Sequence, residues 1–532
     1  MQNDDKTPSE KEACSPVSLS LNRSSFWPKV GAGVLLVATA DFLFFMQRPG
    51  ATLGVFALLW LGAALLFRKG WNRDRRGLVA AGLAAVLALV MIDRPALLTW
   101  VLFGLALMVA VQSTRVRHGE NAWRWSQRLL VHAAVSVAGP WIDLIRLNRV
   151  NRRRGRAANL PSMARLLILP VLGGVVFLGL FASANPLIGD LMTRLRLPSL
   201  THEMAARAIF WGAVLVAVGG ILRPRWRRRL IALPSLEGRV VPGGAATSVT
   251  LSLVVFNVLF AVQNGLDLTF LWSGAPLPEG VSLAEYAHRG AYPLIVTALL
   301  AGLFVLVFLR PGSETATRPL IRGLVMLWVG QNLLLVASSL LRTADYIEVY
   351  SLTRFRIAAM IWMALVGVGL GLICWRLLRN KSASWLINVN VGVGLAVLAI
   401  VSVVDLGAIA ATWNVRHARE IDGQGAGLDL CYLDSLNGAA LAPLVELELR
   451  LSDPTLRDRV ASVRVRQLEA MQAQQAQWRG WRWRDARRLD RVARLTANRP
   501  LTAPVPGVRD CAGTLLPPPA PVVAPLTSEA GA

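Results

Sequence analysis

Residues 77–112 read GLVAAGLAAVLALVMIDRPALLTWVLFGLALMVAVQ. Two apolar runs flank Asp93-Arg94-Pro95, which holds the only charges in the stretch. Each run approaches the ~20 residues with which a helix crosses ~30 Å of hydrocarbon. A soluble helix or strand would interleave polar residues at its own period. The stretch therefore predicts a tight hairpin of two membrane-spanning helices.

The same pattern recurs along the chain. Apolar blocks at 29–46, 51–67, 77–92, 95–112, 165–184, 206–222, 248–270, 291–309, 320–341, 356–377 and 386–408 predict about eleven spans. Of the 532 residues, 54% are hydrophobic and 17% charged, against ~25% charged in a typical soluble domain. The mean hydropathy is +0.48. The fold class is an all-α polytopic transmembrane helix bundle with a small helical C-terminal tail.

Basic residues number 57 against 32 acidic, a net charge of +25. They gather between apolar blocks: Arg73, Arg75 and Arg76 after the second, Arg152-Arg153-Arg154-Gly155-Arg156 after the fourth, and Arg225 to Arg229 after the sixth. The loops after spans one, three and seven carry one each, at Arg48, Arg94 and Arg289. Positive residues favour the cytoplasmic side. The alternation puts the N-terminus and even-numbered loops in the cytoplasm of a bacterial inner membrane, and the C-terminal tail in the periplasm. Charge placed in this way points to membrane lipids as partners, anionic headgroups meeting the cytoplasmic Arg clusters. It does not point to nucleic acid, which needs a basic face on a folded domain. The scarcity of Lys beside Arg is the composition of a GC-rich bacterial genome.

Residues 1–28 form a polar, disordered cytoplasmic N-terminus, and 29–112 four spans. Residues 113–164 form a basic cytoplasmic loop, in which 129–145 (LLVHAAVSVAGPWIDLI) is apolar yet flanked by Arg on both sides. That segment reads as an in-plane amphipathic helix. Seven spans fill 165–408. In the extramembrane tail, 409–499, Asp453 and Pro454 have the types of an N-cap and first helical residue. Leu456, Val460 and Val463 mark one face of that helix. The Pro-rich end, 500–532, reads as disordered. The tail can also take a protein partner. Cys431 and Cys511 share it, so a disulfide is allowed but not required.

No constellation for catalysis, cofactor or metal emerges. His202-Glu203 opens like a zinc-protease helix, but Ala206 stands where the second His must be. No phosphate loop or nucleophile elbow is present. Gly367 and Gly371 have the spacing of small-residue helix packing. Polar residues inside spans form the first candidate site. Asn257, Asn264 and Asp267 share a face of span seven, and Gln331 and Asn332 lie in span nine. They read either as a polar cavity or as interhelical hydrogen bonding. Aromatic and charged residues at helix entries form the second, with Tyr286 and Arg289 before span eight and Arg354 and Arg356 before span ten. In the tail, Trp478-Arg479-Gly480-Trp481-Arg482-Trp483-Arg484 reads as a membrane-surface or nucleic-acid patch, or as part of a packed helix.

Several short motifs over residues 163–450 resemble a group of multi-spanning bacterial inner-membrane proteins catalogued as a domain of unknown function. They are Phe181 to Pro186; Asn257-Val258-Leu259-Phe260; and Glu285-Tyr286-Ala287 with Arg289-Gly290. Further on come Ser351-Leu352-Thr353 with Arg356, and Asp405 with Ile409-Ala410 and Asn414. Asp429 with Tyr432-Leu433 closes the series. The chain departs from the group at Ala291 and Pro293, and Ser351 occupies a glycine place. The resemblance implies a polytopic fold and brings no catalytic residues. Three functions fit: a membrane-embedded scaffold or regulator of envelope processes, a small-solute or ion transporter using spans seven and nine, and a membrane enzyme on lipid-linked substrates using Tyr286, His288, Arg289 and Arg354. Without a constellation, an enzyme is the least favoured.

Overall fold

The computed structural model describes residues 26–68, 74–113, 120–139, 202–223, 246–273, 296–297, 300, 302–304, 308, 318–423 and 425–517. The elements are helices: α1 (Phe26–Phe44), α2 (Thr52–Leu66), α3 (Arg75–Asp93), α4 (Leu97–Gln112), α5 (Ala122–Val137) and α6 (His202–Leu222). Then come α7 (Ala246–Asp267) with a π-turn Leu268–Trp272, α8 (Pro319–Tyr350), α9 (Arg354–Leu378) and α10 (Ala383–Val403). The tail holds α11 (Leu406–Arg416), α12 (Arg419–Asp422), α13 (Leu430–Ser435), α14 (Leu441–Glu448), α15 (Pro454–Ala476) and α16 (Trp483–Thr496).

Seven of these helices are long and apolar enough to cross a membrane, and α2 and α4 are shorter apolar helices. Their exteriors are inverted relative to a soluble protein. Leu251, Leu259 and Val262 of α7 are 60–65% exposed, whereas Asn257 and Asn264 are 6% and 4% exposed. Apolar side chains facing outward and amides facing inward suit hydrocarbon as the surrounding solvent. The chain is a membrane-spanning protein.

The predicted spans at 165–184 and, in large part, 291–309 lie outside the described residues; the others coincide with helices. Two boundaries differ. The span placed at 320–341 continues as α8 to Tyr350. The span placed at 386–408 breaks after Val403, because Asp405 accepts a hydrogen bond from the Ala408 N–H and so caps a separate helix, α11. Gly371 meets no neighbour, while a Cβ at Gly367 would stand 3.5 Å from Val336 and one at Gly369 3.2 Å from Asn390. Packing across α9 therefore uses positions 367 and 369, on opposite faces.

The chain divides into two units, 1–42 with 62–69 and 135–225, and 43–61 with 70–134 and 226–532. In the first, Asp41 of α1 accepts from Arg207 Nε (2.9 Å) and Nη2 (2.6 Å) and from Trp211 Nε1 (2.9 Å), all on α6. In the second, α3 and α4 form the hairpin expected at Asp93-Arg94-Pro95. The Arg94 N–H donates to Val90 O (2.8 Å) before the chain turns. Phe56, Trp60, Trp100 and Phe103 pack α2 on α4 with ring centroids 5.7–6.4 Å apart. At the opposite end of α4, Asn121 Nδ2 donates to Ser384 Oγ (2.9 Å), and the Ala122 N–H, opening α5, to Asn388 Oδ1 (2.7 Å).

The tail is a helical unit with a buried apolar core of its own. Leu430, Leu433, Leu444 and Leu447 are buried together with Val460 and Val463 of α15. Asp453 caps α15 as its sequence predicts, accepting from the Thr455 (2.9 Å) and Leu456 (3.3 Å) N–H groups, with Pro454 in the first turn. Arg464 Nε donates to Glu448 Oε2 (2.6 Å) inside the domain. Burial pushes the Glu448 carboxyl above its ordinary value despite that bond. Composition led to an expectation of disorder from residue 500, yet 501–517 run along α15. The Val505 N–H (2.7 Å) and Arg509 Nη2 (2.6 Å) donate to Asp458, and Arg459 Nε donates to Ala512 O (3.1 Å). A Cys431–Cys511 disulfide fixes the segment.

The disulfide closes a sequence separation of 80, for which chain entropy gives a stabilisation of roughly 4 kcal/mol. Cys431→Ser is expected to lower the unfolding temperature of the tail and open residues 501–517 to proteolysis, leaving the apolar helices protected. Limited proteolysis of full-length protein in lipid nanodiscs, followed by mass spectrometry, measures this.

Candidate functional site

Helices α7 and α8 run parallel, because their cross-bonds keep a near-constant sequence offset. Asn257 Nδ2 donates to Leu324 O (3.0 Å) as well as to Leu253 O (2.7 Å) on its own helix. Gln331 Nε2 donates to Asn257 Oδ1 (3.3 Å), and Asn264 Nδ2 to Gln331 O (3.2 Å). Further along, Asp267 pairs with Arg342 and also accepts from Gln263 Nε2 (3.1 Å). Asn332 donates to Trp328 O (2.8 Å) in its own helix.

Four of the five candidate polar residues are thus joined along one helix interface. Arg342 is a partner that sequence reasoning missed. The signal that could have found it is an Arg directly continuing the apolar block at 320–341. The Asp267 and Arg342 side chains are 1% and 7% exposed. Removing one partner from such a pair costs ~3–5 kcal/mol. Asn264 Oδ1, Gln331 Oε1 and Asp267 Oδ2 are buried acceptors with no hydrogen-bond partner among the described residues. Beside this interface lies an apolar cavity of about 430 Å³, lined by Phe256, Phe260, Phe304, Phe308 and Trp328 among others. None of the five candidate residues lines it.

Tyr286 and Arg289 lie outside the described residues. Arg354 and Arg356 belong to a junction where α8 and α9 meet the tail. The Leu352 N–H donates to Asn414 Oδ1 (2.7 Å), and Asn414 Nδ2 returns a bond to Leu352 O (3.0 Å). The Arg354 N–H donates to Tyr432 Oη (2.8 Å). Arg356 Nη1 donates to Tyr350 O (2.5 Å) and to Ser351 O, and its guanidinium stands 4.4 Å from the Tyr346 ring centroid. Thr353 caps α9, and Asp429 caps α13. Three motifs far apart in sequence therefore serve one connection. Ser351 adopts φ 69° and ψ 164°, a region where glycine is at ease and other residues are strained.

A second contact locks the tail to the same end of the bundle. Arg484 of α16 donates to Asp93 (Nε to Oδ2, 2.7 Å) and to Val403 O (2.9 Å). Arg487 reaches Asp93 Oδ1 (2.5 Å), and Arg488 pairs with Asp405. Arg94 lies 3.8 Å from Asp405 Oδ1. Burial pushes the Asp405 carboxyl up, but Arg488, the Ala408 N–H, Arg94 and Arg484 outweigh it and hold it below its ordinary value. For Arg94, burial lowers the guanidinium against the pull of Asp405.

A polar cavity of about 360 Å³ opens beside the junction, lined by Glu348, Ser351, Trp413, Asn414, His417 and Gly425 among others. Glu348 has no ion-pair or hydrogen-bond partner among the described residues. His417 stacks on Trp413 with centroids 3.9 Å apart, its Nδ1 3.0 Å from Trp413 O. A carboxylate beside an indole and an imidazole suits a ligand that donates hydrogen bonds or carries positive charge. Among the described residues, no group of three or more His, Cys, Asp or Glu side chains is placed to hold a metal ion.

Outward-facing apolar helices, polar groups paired inward and a stapled tail define a multi-pass, all-α membrane protein. The chain belongs to the family described as a domain of unknown function (DUF4153), whose model matches residues 78–447. That match takes in every motif of the resemblance and extends it back to α3. No curated protein and no solved structure matches the chain.

Ser351→Gly relieves the positive φ and is expected to stabilise the protein by ~1 kcal/mol. A rise in the unfolding temperature in detergent checks it. Acid provides a second test. A carboxylate whose folded value is depressed contributes stability that is complete above its unfolded value, near 3.8 for Asp405, and is lost as pH falls through the folded value. Hydrogen exchange of α16, corrected for intrinsic rates, should show protection that is full at neutral pH and erodes below about pH 4. Asp405→Asn should lower the neutral plateau and flatten that slope.

Proposed function

We propose that this chain is a bacterial inner-membrane scaffold or regulator of envelope processes, which presents a disulfide-stapled helical domain on the periplasmic side. The observation that carries this reading is the junction. The motifs at Ser351–Arg356, Asp405–Asn414 and Asp429–Tyr432, and the Asp93 and Asp405 ion pairs, all serve to hold one extramembrane domain on one end of the bundle. Such an investment in rigid docking suits a domain that meets other envelope components.

The orientation has two supports. Residues 48–51, 93–96, 351–353 and the tail share one end of the bundle, and it carries few basic residues outside the tail. Arg75, Arg76, Arg376, Arg379 and Lys381 lie at the opposite helix ends. A disulfide in the tail accords with an oxidising compartment. The in-plane role of α5 and its headgroup contacts belong to the same proposal.

Movement of a small solute or ion is the second reading. The three buried acceptor oxygens at Asn264, Gln331 and Asp267 favour it, because unmatched acceptors suit water or a transient ion. The two readings separate by complementation in a strain lacking the chain, with envelope permeability to a bulky dye as readout. Arg484→Glu with Arg488→Glu should fail to complement, whereas Asn257→Leu with Asn264→Leu should succeed. The opposite pattern would transfer the function to the α7–α8 interface. A reporter active only in the periplasm, fused after Thr412, should be active.

A further inference from the structure

The run from Trp478 to Trp483 is left unexplained by the docking of α16. Trp478, Trp481 and Trp483 are 58%, 38% and 54% exposed, although the tail has a buried apolar core of its own. Their depth is set by the backbone around them. The Ala51 N–H donates to Trp481 O (2.7 Å), Thr52 Oγ1 to Arg479 O (3.3 Å), and Arg482 Nη2 to Pro49 O (3.3 Å). A Cβ on Gly50 would stand 2.5 Å from the Arg479 and Trp481 carbonyl oxygens, so glycine permits this approach. Two residues on, Arg484 bonds Asp93 and Val403 O.

Residues 479–484 therefore touch the ends of three apolar helices, α2, α3 and α10. The 19 residues of α3 make a rod of about 28 Å, close to the ~30 Å hydrocarbon thickness. The end at which Arg484 binds is thus the boundary between hydrocarbon and headgroups. Indole rings favour that layer, having an apolar body and one N–H donor. Two guanidiniums accompany them: Arg479 stands 5.0 Å from the Trp478 ring centroid and Arg487 5.6 Å from that of Trp483. Arg487, 62% exposed and bonded to Asp93 through Nη2, keeps its other N–H donors for acceptors outside the protein.

We propose that residues 478–487 are an interfacial anchor: Trp478, Trp481 and Trp483 lie in the headgroup layer of the leaflet on the tail side, and the exposed guanidinium of Arg487 meets phospholipid phosphates. The tail is then held by protein contacts at its centre and by lipid at its edge. Nucleic acid is disfavoured as the occupant, because the depth of the run is that of the membrane surface.

Nitroxide depth measurement on full-length protein tests this, in nanodiscs of phosphatidylglycerol and phosphatidylcholine. The label is attached through Trp478→Cys or Trp483→Cys, in a background carrying Cys14→Ser and Cys374→Ser. A control label sits at Asp490→Cys, further along α16. Collisions with a water-soluble nickel chelate should be severalfold fewer at 478 and 483 than at 490, and collisions with oxygen more frequent. Equal nickel accessibility at all three would overturn the anchor. So would shielding from both reagents, which marks a site covered by protein. Retention of the Cys431–Cys511 disulfide confirms the fold of each variant, and Trp481→Cys provides a third position if one fails.

Discussion

Two carboxylates at the ends of apolar helices, Asp93 closing α3 and Asp405 opening α11, carry the connection between the membrane bundle and the tail. Each sits at one end of the bundle and is 18% or 17% exposed, so its charge is only partly hydrated. Each draws guanidiniums from a single helix, α16, whose Arg484, Arg487 and Arg488 project toward the bundle. The partial burial of Asp405 strengthens the attraction and also makes the loss of a partner costly. The Asn414–Leu352 backbone clamp and the Tyr432–Arg354 bond lie on the same side. Together they give the tail a defined seat where a flexible tether would give it many.

Two solvents shape this molecule, and the contrast explains where its polar groups go. In the bundle, apolar side chains point out and the amides of α7 and α8 point at one another, because hydrocarbon offers them no partner. In the tail the same rule runs in reverse, with leucines inside and most arginines outside, Arg464 being paired with Glu448 in the core. The junction lies between the regimes, and it gathers residues that belong to both: arginines, tyrosines, tryptophans and capped helix starts. The Asp267–Arg342 pair departs from this, an ion pair kept inside the bundle and sustained by its mutual attraction and by Gln263.

The membrane-spanning fold was legible because hydrophobic length is a local property. Residues 77–112 announce a hairpin whatever surrounds them, and Asp453-Pro454 announces a helix start by cap chemistry alone. The five intramembrane polar residues were legible as unusual, since each is costly in hydrocarbon. Whether they paired was not, because the offset between α7 and α8 depends on how the two helices slide against each other. Arg342 escaped notice for that reason: its meaning comes from Asp267, seventy-five residues earlier.

The junction was decided by tertiary structure. Sequence showed Asp405, Asn414 and Tyr432 as scattered motif residues and Arg484 as the end of a Trp- and Arg-rich run, and it gave no sign of Arg488. Only folding brings them within hydrogen-bond distance, because ion pairs and side-chain clamps depend on positions in space and not on separation along the chain. The ordering of residues 501–517 has the same origin. Their composition cannot form a core alone, yet a disulfide and the acidic Asp458 of α15 supply what the segment lacks. Sequence by itself determined that this chain lives in a membrane and roughly where it crosses, through the cost of exposing peptide and charge to hydrocarbon. Tertiary structure decided which polar groups are partners and where the tail rests.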